Sequence, residues 1–319
     1  MNAIPLAIGD PPTAALPRRR FLIVRNRHAG TASRRLVCDV IEALHAKGAV
    51  TRLLETEREA ELGIALAGAR EADAVVAAGG DGTLRSLVRT FDRAGISIPI
   101  GLIPCGTGNV MAAELAIPRD ASALAETLIH GQSRSIAGGR ANGELFLAMC
   151  GAGFDGEVIS RLNFSLKERI GKAAYAPAVF PALSAPPRSF EVVVDGGSAR
   201  RATWVVAANA RHYAGEFVIA PDATPAQAGL HAVLMQAATR AGRLAELLAI
   251  ARGRAASCPT IECVPCSSLS VMDQDLPIQV DGDYLGRAPL DITAVEHVAD
   301  LILPHDTATR GTPSSRPRG

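Results

Sequence analysis

The sequence predicts an α/β domain followed by a second, β-rich domain, and three observations carry that prediction. Four short apolar runs between Phe21 and Ile103 each lead into a polar or glycine-containing loop and then into residues with helical spacing. After about Gly131 this rhythm gives way to short alternating runs of strand character. Between two of those runs stands Asp195-Gly196-Gly197, which has hairpin chemistry. With 319 residues, 48% of them hydrophobic, the chain is long enough for two cores.

Phe21 to Val24 is a continuous apolar run of the kind found in parallel strands covered on both faces. It enters the loop Arg25-Asn26-Arg27-His28-Ala29-Gly30, and Ser33 then precedes a helix carrying Leu36, Val37, Val40, Ile41 and Leu44. Val50 to Leu54 is the second strand. Glu55-Thr56-Glu57 reads as loop and N-cap, ahead of a helix through Ala60, Leu62, Ile64, Ala65 and Leu66. The third strand, from Ala74, opens into Gly79-Gly80-Asp81-Gly82-Thr83 before a helix beginning at Leu84. The fourth, Ile98 to Ile103, ends in Pro104-Cys105-Gly106-Thr107-Gly108-Asn109, followed by a helix containing Val110, Met111 and Leu115.

The two glycine loops carry the chemistry. Glycines present unobstructed N–H groups to an anion, and a following helix N-terminus adds a favourable dipole. A carboxylate such as Asp81 among those amides would repel phosphate unless a divalent cation or a transferable proton lay between, so the loop points to Mg·nucleotide chemistry. The plain alternative is a tight strand-to-helix turn. In open α/β sheets, loops at the carboxyl ends of strands converge on one crevice, and a second such loop at Gly106-Thr107 favours the phosphate cradle.

In the second half, strands are expected at Glu144–Cys150, Phe190–Val194, Thr203–Ala208, Leu230–Met235, Ser268–Met272 and Ile278–Val280, with a helix around Arg243–Ala255. The last apolar strand, Ala299–Pro304, is expected to pack back on the first domain. The expected division is a tail over 1–19, the α/β domain over 20–133, the β-rich domain over 134–298, a returning strand over 299–305 and a Thr/Ser/Pro/Arg/Gly-rich disordered tail over 306–319.

Composition excludes several classes. A formal net charge of +1 and 4% aromatic residues give neither a global field nor many stacking platforms for nucleic acid. The six cysteines are scattered and suit a reducing compartment; Cys258, Cys263 and Cys266 read as ordinary buried thiols rather than a zinc site. In the N-terminal segment the cations Arg18, Arg19 and Arg20 follow the apolar part, the reverse of a secretory signal. No stretch approaches the ~20 apolar residues of a membrane span. The expectation is a cytoplasmic protein, peripheral at the inner face of the membrane. Gly151-Ala152-Gly153-Phe154-Asp155-Gly156 fits a dinucleotide fingerprint but lies in the β-rich half without a βαβ context, and no Walker-type GxxxxGK[ST] is present.

Together these loops resemble the diacylglycerol kinase catalytic-domain family, which includes bacterial lipid kinases, sphingosine kinases and ceramide kinases. Gly79-Gly80-Asp81-Gly82-Thr83 matches its nucleotide loop and Pro104 to Asn109 its PxGTxN motif. Further matches are Gly151 to Asp155, Lys167 with Gly171 and Tyr175, Asn209 with Gly215 and Ile219-Ala220-Pro221, and Asp281-Gly282-Asp283. The resemblance spans Phe21 to Pro304.

The resemblance implies an α/β nucleotide-binding domain, a β-sandwich-like lipid domain, and ATP with Mg²⁺ in the interdomain cleft. It places ATP against Asn26, Gly30, Thr56, Gly79, Gly80, Asp81, Gly82, Thr83, Gly106, Thr107 and Asn109. It makes Asp81 the organiser of Mg·ATP, directly or through water, and Asp283 the general base. Asp155, Lys167, Tyr175 and Asn209 are assigned to the lipid or interdomain cleft. The chain departs from the family pattern in several places. Its first loop keeps Asn26 and Gly30 but lacks the usual Pro and Ser, leaving Ala29 as a backbone contact at most. Arg85-Ser86 stands where many members have Asn-Glu, and a solvated arginine is the favoured reading. Asp283 is one methylene shorter than the usual Glu; without the other motifs, Asp281-Gly282-Asp283 would read as an acidic hairpin turn. Ala228-Gly229-Leu230 lacks the carboxylate of a structural Mg²⁺ site carried by some bacterial members, so that site is expected to be absent or rebuilt with a residue such as Asp222.

The partners implied are a membrane lipid and a membrane surface. Ser160 to Ala182 carries Arg161, Lys167, Arg169 and Lys172 among Leu162, Phe164, Leu166, Ile170 and Tyr175, which suits either an interfacial segment or a surface helix. Two rival functions remain open: an NAD kinase or phosphofructokinase-like kinase of soluble substrates, and a catalytically weak lipid- or nucleotide-binding regulator. Among lipids, diacylglycerol, ceramide and sphingoid bases all offer a primary hydroxyl.

Overall fold

The computed structural model describes residues 16–27, 31–56, 61–106, 108–162, 176–215 and 217–305. Strands β1 (Arg20–Asn26), β2 (Val50–Thr56), β3 (Ala74–Gly79) and β4 (Ile100–Pro104) form a parallel array in the order β2-β1-β3-β4. Helix α1 (Thr31–Ala46) packs on α5 (Ala121–His130), and α2 (Leu62–Ala69) packs on α3 (Asp81–Ala94). A short helix, α4 (Val110–Glu114), follows the fourth strand. Every residue of β3 and β4 is buried, as continuous apolar strands require when helices cover both faces.

The second half is antiparallel. Its six-stranded sheet runs β14 (Ile261–Cys266), β13 (Leu230–Met235), β10 (Trp204–Ala208), β7 (Met149–Gly153), β16 (Pro277–Val280) and β17 (Asp283–Arg287). It faces β8 (Phe190–Val194), β9 (Arg200–Ala202), β15 (Ser268–Val271) and the start of β18 (Leu290–Leu303). Alternate residues of the two layers, among them Cys150, Ala152, Val205, Ala207, Val192, Val271 and Ile292, fill a sandwich core. On the outer face, Trp204, Val206 and Met235 meet α6 (Phe154–Ser160), α7 (Ala176–Ser184) and α8 (Arg240–Ala251), with the Trp204 and Phe154 rings 5.2 Å apart. The architecture is thus an N-terminal α/β domain with a C-terminal antiparallel β-sandwich-like domain.

The two halves share a sheet. β5 (Gln132–Ala141) lines β18 along most of its length and also pairs with β6 (Glu144–Phe146). Elsewhere β18 pairs with β15 over Leu290–Thr293 and meets β4 where Leu301 lies opposite Ile100. The expected returning strand is therefore the end of a 14-residue strand that begins inside the second half. The boundary placed at 133–134 falls within β5.

Other expectations change in detail. Glu55 and Thr56 belong to β2, where Thr56 pairs with Asn26, so Thr56 is no N-cap and the next helix starts at Leu62. The run Glu144–Cys150 divides into β6 and β7 around Leu147 and Ala148. Asp195 (φ 49°) and Gly196 (φ 66°) turn β8 into β9 as the hairpin signal predicted. The Arg18–Arg20 cluster is engaged with the fold: Arg18 donates to the Gly131 carbonyl at 2.8 Å and Arg20 pairs with Asp73 at 2.8 Å. Among the described residues no helix is long and apolar enough to cross a membrane. The tail at 306–319 and residues 1–15 of the N-terminal tail lie outside the described residues.

Candidate active site

The parallel strands deliver their carboxyl ends to one edge. Asn26 stands opposite Thr56, and Gly79 opposite Pro104. The Cys105 N–H donates to the Gly79 carbonyl at 2.9 Å, which draws the fourth loop over the third. There the two glycine loops touch backbone to backbone. A Cβ on Gly106 would lie 2.4 Å from the Gly80 Cα, so no larger residue fits at 106 without separating the loops. Asn109, at φ 50°, locks the same turn: its Nδ2 donates to the Gly106 carbonyl at 2.6 Å and its Oδ1 accepts the Gly106 N–H at 2.9 Å. Its amide thus shapes the loop.

Asp81 is the first residue of α3, capped by Gly80 in extended conformation. Its Oδ2 accepts the Val110 N–H at 3.0 Å and its Oδ1 the Met111 N–H at 2.9 Å, so the carboxylate joins the start of α3 to the start of α4. Gly82 is exposed, with nothing within 4 Å of where a Cβ would stand. First-turn N–H groups of a helix have no intrahelical acceptor, and in α3 these are the N–H groups of Asp81, Gly82 and Thr83. The Thr83 side chain folds over Gly79. Thr56 is buried, with its hydroxyl 3.5 Å from the Arg25 carbonyl. Neighbouring Arg25, expected in a polar loop, is buried and donates to Glu55 Oε1 at 2.6 Å.

Arg85 overturns the solvated-arginine expectation. It is only 8% exposed, and its Nη1 donates to the Val280 carbonyl at 2.6 Å. Its Nη2 donates to Asp283 Oδ2, crossing from the α/β domain to the acidic hairpin of the second half. The local pattern on α3 hid this because the partners lie almost two hundred residues later. Asp283 itself is half exposed and, among the described residues, its Oδ1 has no hydrogen-bond partner.

The hairpin is held from below. Asp281, at φ 48°, accepts the N–H groups of Leu147, Ala148 and Met149, each at 2.9 Å. Burial pushes its carboxyl up, opposed by Arg85 and the three amides. Gln279 Oε1 accepts the Gly282 N–H at 2.8 Å, and Gln279 Nε2 donates to Asp155 Oδ2 at 2.9 Å. The two acids of Asp281-Gly282-Asp283 therefore differ: one is a buried anchor and the other faces outward.

Asp155 and Asn209, expected at the lipid or interdomain cleft, are buried and brace neighbouring strands. Asp155 lies under β16, accepts the Gly156 N–H at 2.8 Å, and has its carboxyl raised to about 7 by burial, against the opposing bonds from Gln279 and Gly156. A Cβ on Gly151 would lie 2.2 Å from its Oδ2, so the false dinucleotide fingerprint is partly a space reserved for this acid. Asn209 Nδ2 donates to the carbonyls of Ala137, at 2.9 Å, and Leu147, at 2.6 Å, tying β5 to the turn before β7. Gly30, Thr107, Lys167 and Tyr175, with Ala29 and most of the cationic segment after Ser160, lie outside the described residues.

A third buried carboxylate, Glu114, is marked by no local motif. Glu114 at the end of α4 accepts from Arg211 Nε at 3.0 Å and from the His212 N–H at 2.8 Å, fastening the fourth-loop helix to the second half. Beside α6 lies an open cleft of about 270 Å³ with a mixed lining that includes Phe154, Leu276, Pro277, Arg188, Arg243 and Arg287. Asp222 is exposed, and among the described residues no group of three or more His, Cys, Asp or Glu side chains is placed to hold a metal ion.

The model of the diacylglycerol kinase catalytic domain matches residues 20–141, and that of the YegS C-terminal NAD kinase beta sandwich-like domain matches residues 148–303. The chain belongs to the diacylglycerol kinase catalytic domain family. A diacylglycerol kinase of Mycobacterium tuberculosis is 28% identical over 300 residues, covering 91% of each chain. That of Bacillus subtilis is 27% identical over 249 residues, covering 75% of this chain and 80% of the relative. The family's fold recurs in crystal structures from Bacillus anthracis. One superposes with a TM-score of 0.76 at 18% identity, covering 92% of this chain and 98% of that one. Another, a diacylglycerol kinase, superposes at 0.67 and 16% identity, covering 90% and 98%.

Proposed function

We propose that this chain is a lipid kinase that transfers the γ-phosphoryl group of ATP to the primary hydroxyl of a membrane lipid, with diacylglycerol the first acceptor. The observation that carries the reading is the meeting of three parts at the start of α3. The glycine loops of Gly80 and Gly106 touch, the helix offers its first-turn amides, and the half-exposed Asp283 is clasped to the same helix through Arg85. Phosphoryl transfer needs positioning amides and a carboxylate for the hydroxyl proton, and this arrangement offers both.

In this reading the triphosphate lies against Gly80, Gly82, Thr83 and Gly106, and Asp283 Oδ1 accepts the proton of the attacking hydroxyl. Mg²⁺, when bound with ATP, supplies charge neutralisation on the phosphates. Each Asp81 oxygen already accepts one amide and keeps a lone pair, which suits holding the ion's water rather than replacing it. The cleft beside α6, lined by apolar residues, three arginines and the acids Glu157 and Asp275, suits an amphiphile with a polar headgroup. The names of the relatives from M. tuberculosis and B. subtilis support diacylglycerol; ceramide and sphingoid bases as further acceptors, and a peripheral, inner-face location, belong to the proposal alone.

The test is transfer of label from γ-labelled ATP to diacylglycerol, ceramide, a sphingoid base and NAD, each presented separately, the lipids in mixed micelles. Labelled lipid, lost in Asp283→Asn, supports the reading. Label on NAD alone would establish the soluble-substrate kinase, and no label on any acceptor would leave a binding protein.

A further inference from the structure

We propose that Arg85 is a positioning residue for phosphoryl transfer: its guanidinium, anchored on the Val280 carbonyl, sets the place of the Asp283 carboxylate over the nucleotide loop. This rests on the reading of Asp283 as the base. The geometry has three parts. Arg85 follows Asp81 by four residues on α3, so both side chains leave the same side of the helix one turn apart. Asp81 fixes that helix to the fourth loop, while Arg85 fixes it to the β16–β17 hairpin. The helix that presents the first-turn amides is thereby the one that locates the base.

An exposed ion pair would carry little weight, since solvent screening and side-chain entropy cancel most of its attraction. This pair is asymmetric. The arginine is buried, with its Nε–H lacking any partner among the described residues, whereas the carboxylate is half exposed and bound through one oxygen only. Burying a guanidinium is costly unless its bonds are good, so the arginine is committed to this hairpin. The carboxylate keeps Oδ1 for another group. The long Arg85 side chain reaches the short Asp283 carboxylate directly, across the two halves of the chain. Arginine also donates in a fixed planar fork, which holds a carboxylate's orientation as a lysine ammonium does not.

The test uses the full chain with Arg85→Gln, Arg85→Lys, Asp283→Asn and the double variant Arg85→Gln/Asp283→Asn, reading kcat, KM for Mg·ATP and thermal midpoint. A mispositioned base is expected to lower kcat by about 100-fold in Arg85→Gln while KM for Mg·ATP stays within about twofold. Arg85→Lys, which keeps the charge and most of the stem, is expected to regain about 10-fold. In the Asp283→Asn background, Arg85→Gln is expected to remove less than about threefold more, because the two act as a unit. A fall in thermal midpoint and a rise in KM with kcat retained, in Gln and Lys alike, or additive losses in the double variant, would overturn the proposal. If Arg85→Gln fails to fold, Arg85→Lys decides it by the same kcat against KM split. If instead Asp283→Asn keeps its turnover, the assignment of the base fails, and with it the ground for a positioning role. Wild-type turnover lost in Asp283→Asn but unaffected in both Arg85 variants defeats the Arg85 proposal alone.

Discussion

Asp81 and the backbone of Met111 are joined through a carboxylate that also accepts the Val110 N–H, so the third-strand loop and the fourth-strand helix share one charge. A carboxylate at a helix N-terminus is stabilised by the exposed N–H groups and the dipole. Asp81→Asn keeps the shape but offers only one acceptor atom, and its NH₂ meets an N–H where an oxygen stood. The expected result is a loss of about 1 kcal/mol in stability. It should be accompanied by a loss of turnover of at least about 100-fold if the site acts as proposed. Urea unfolding and the labelled-lipid assay measure the two separately; full turnover in Asp81→Asn would remove Asp81 from the mechanism and leave it a cap.

The contact between Gly80 and Gly106 gives a sharper prediction because a control, Gly82, lies two residues from Gly80. Gly106→Ala places a Cβ 2.4 Å from the Gly80 Cα, a backbone atom that cannot rotate away. The loops must part, and Mg·ATP affinity is expected to fall by about 10-fold or more, the scale of a displaced binding loop. Gly82→Ala meets nothing within 4 Å and replaces glycine inside a helix, so it should raise stability by about 0.5–1 kcal/mol. Calorimetric titration with Mg·ATP and thermal denaturation check the pair. Undiminished affinity in Gly106→Ala would show that the loops close independently of each other.

What was legible in the sequence was whatever demanded a residue type over a short stretch. β1, β3 and β4 are continuous apolar runs because helices cover both faces, and the glycine loops follow from the backbone approach of Gly80 to Gly106. The hairpin at Asp195-Gly196 was legible because only a few residues tolerate positive φ there. β5 was not, since Gly138 and Gly139 interrupt any alternation; a Cβ on Gly139 would lie 2.2 Å from the Phe146 ring. Nor was the continuity of β18, a single strand that serves both halves by pairing with β4, β5 and β15. Site residues divided in the same way. Asp81 and the glycines were visible as a motif, but the burial of Arg85, Asp155 and Asn209 depends on residues far away in the chain, and polar residues in short motifs read as solvent-facing or ligand-facing by default.

Asp155 gives stability a pH dependence that turnover measurements would miss. Burial raises its carboxyl to about 7, against the opposing bonds from Gln279 and Gly156, whereas in the unfolded chain it titrates near ~3.9. Between those values the folded protein holds a proton that the unfolded chain has released, so stability falls as pH rises through the window. The contribution is fully present below about pH 4 and lost above about pH 7, with a span on the order of 4 kcal/mol at most. Asp281 and Glu246, also raised by burial, change stability in the same direction, so the wild type alone does not isolate Asp155. Asp155→Asn does, because it keeps the size and an acceptor for Gln279 Nε2 but has no proton to release. Urea unfolding of both proteins at pH 5 and pH 8 should show the wild type losing more stability than the variant across that interval. A difference between the two that stays constant with pH would mean that Asp155 is ionised in the folded protein throughout.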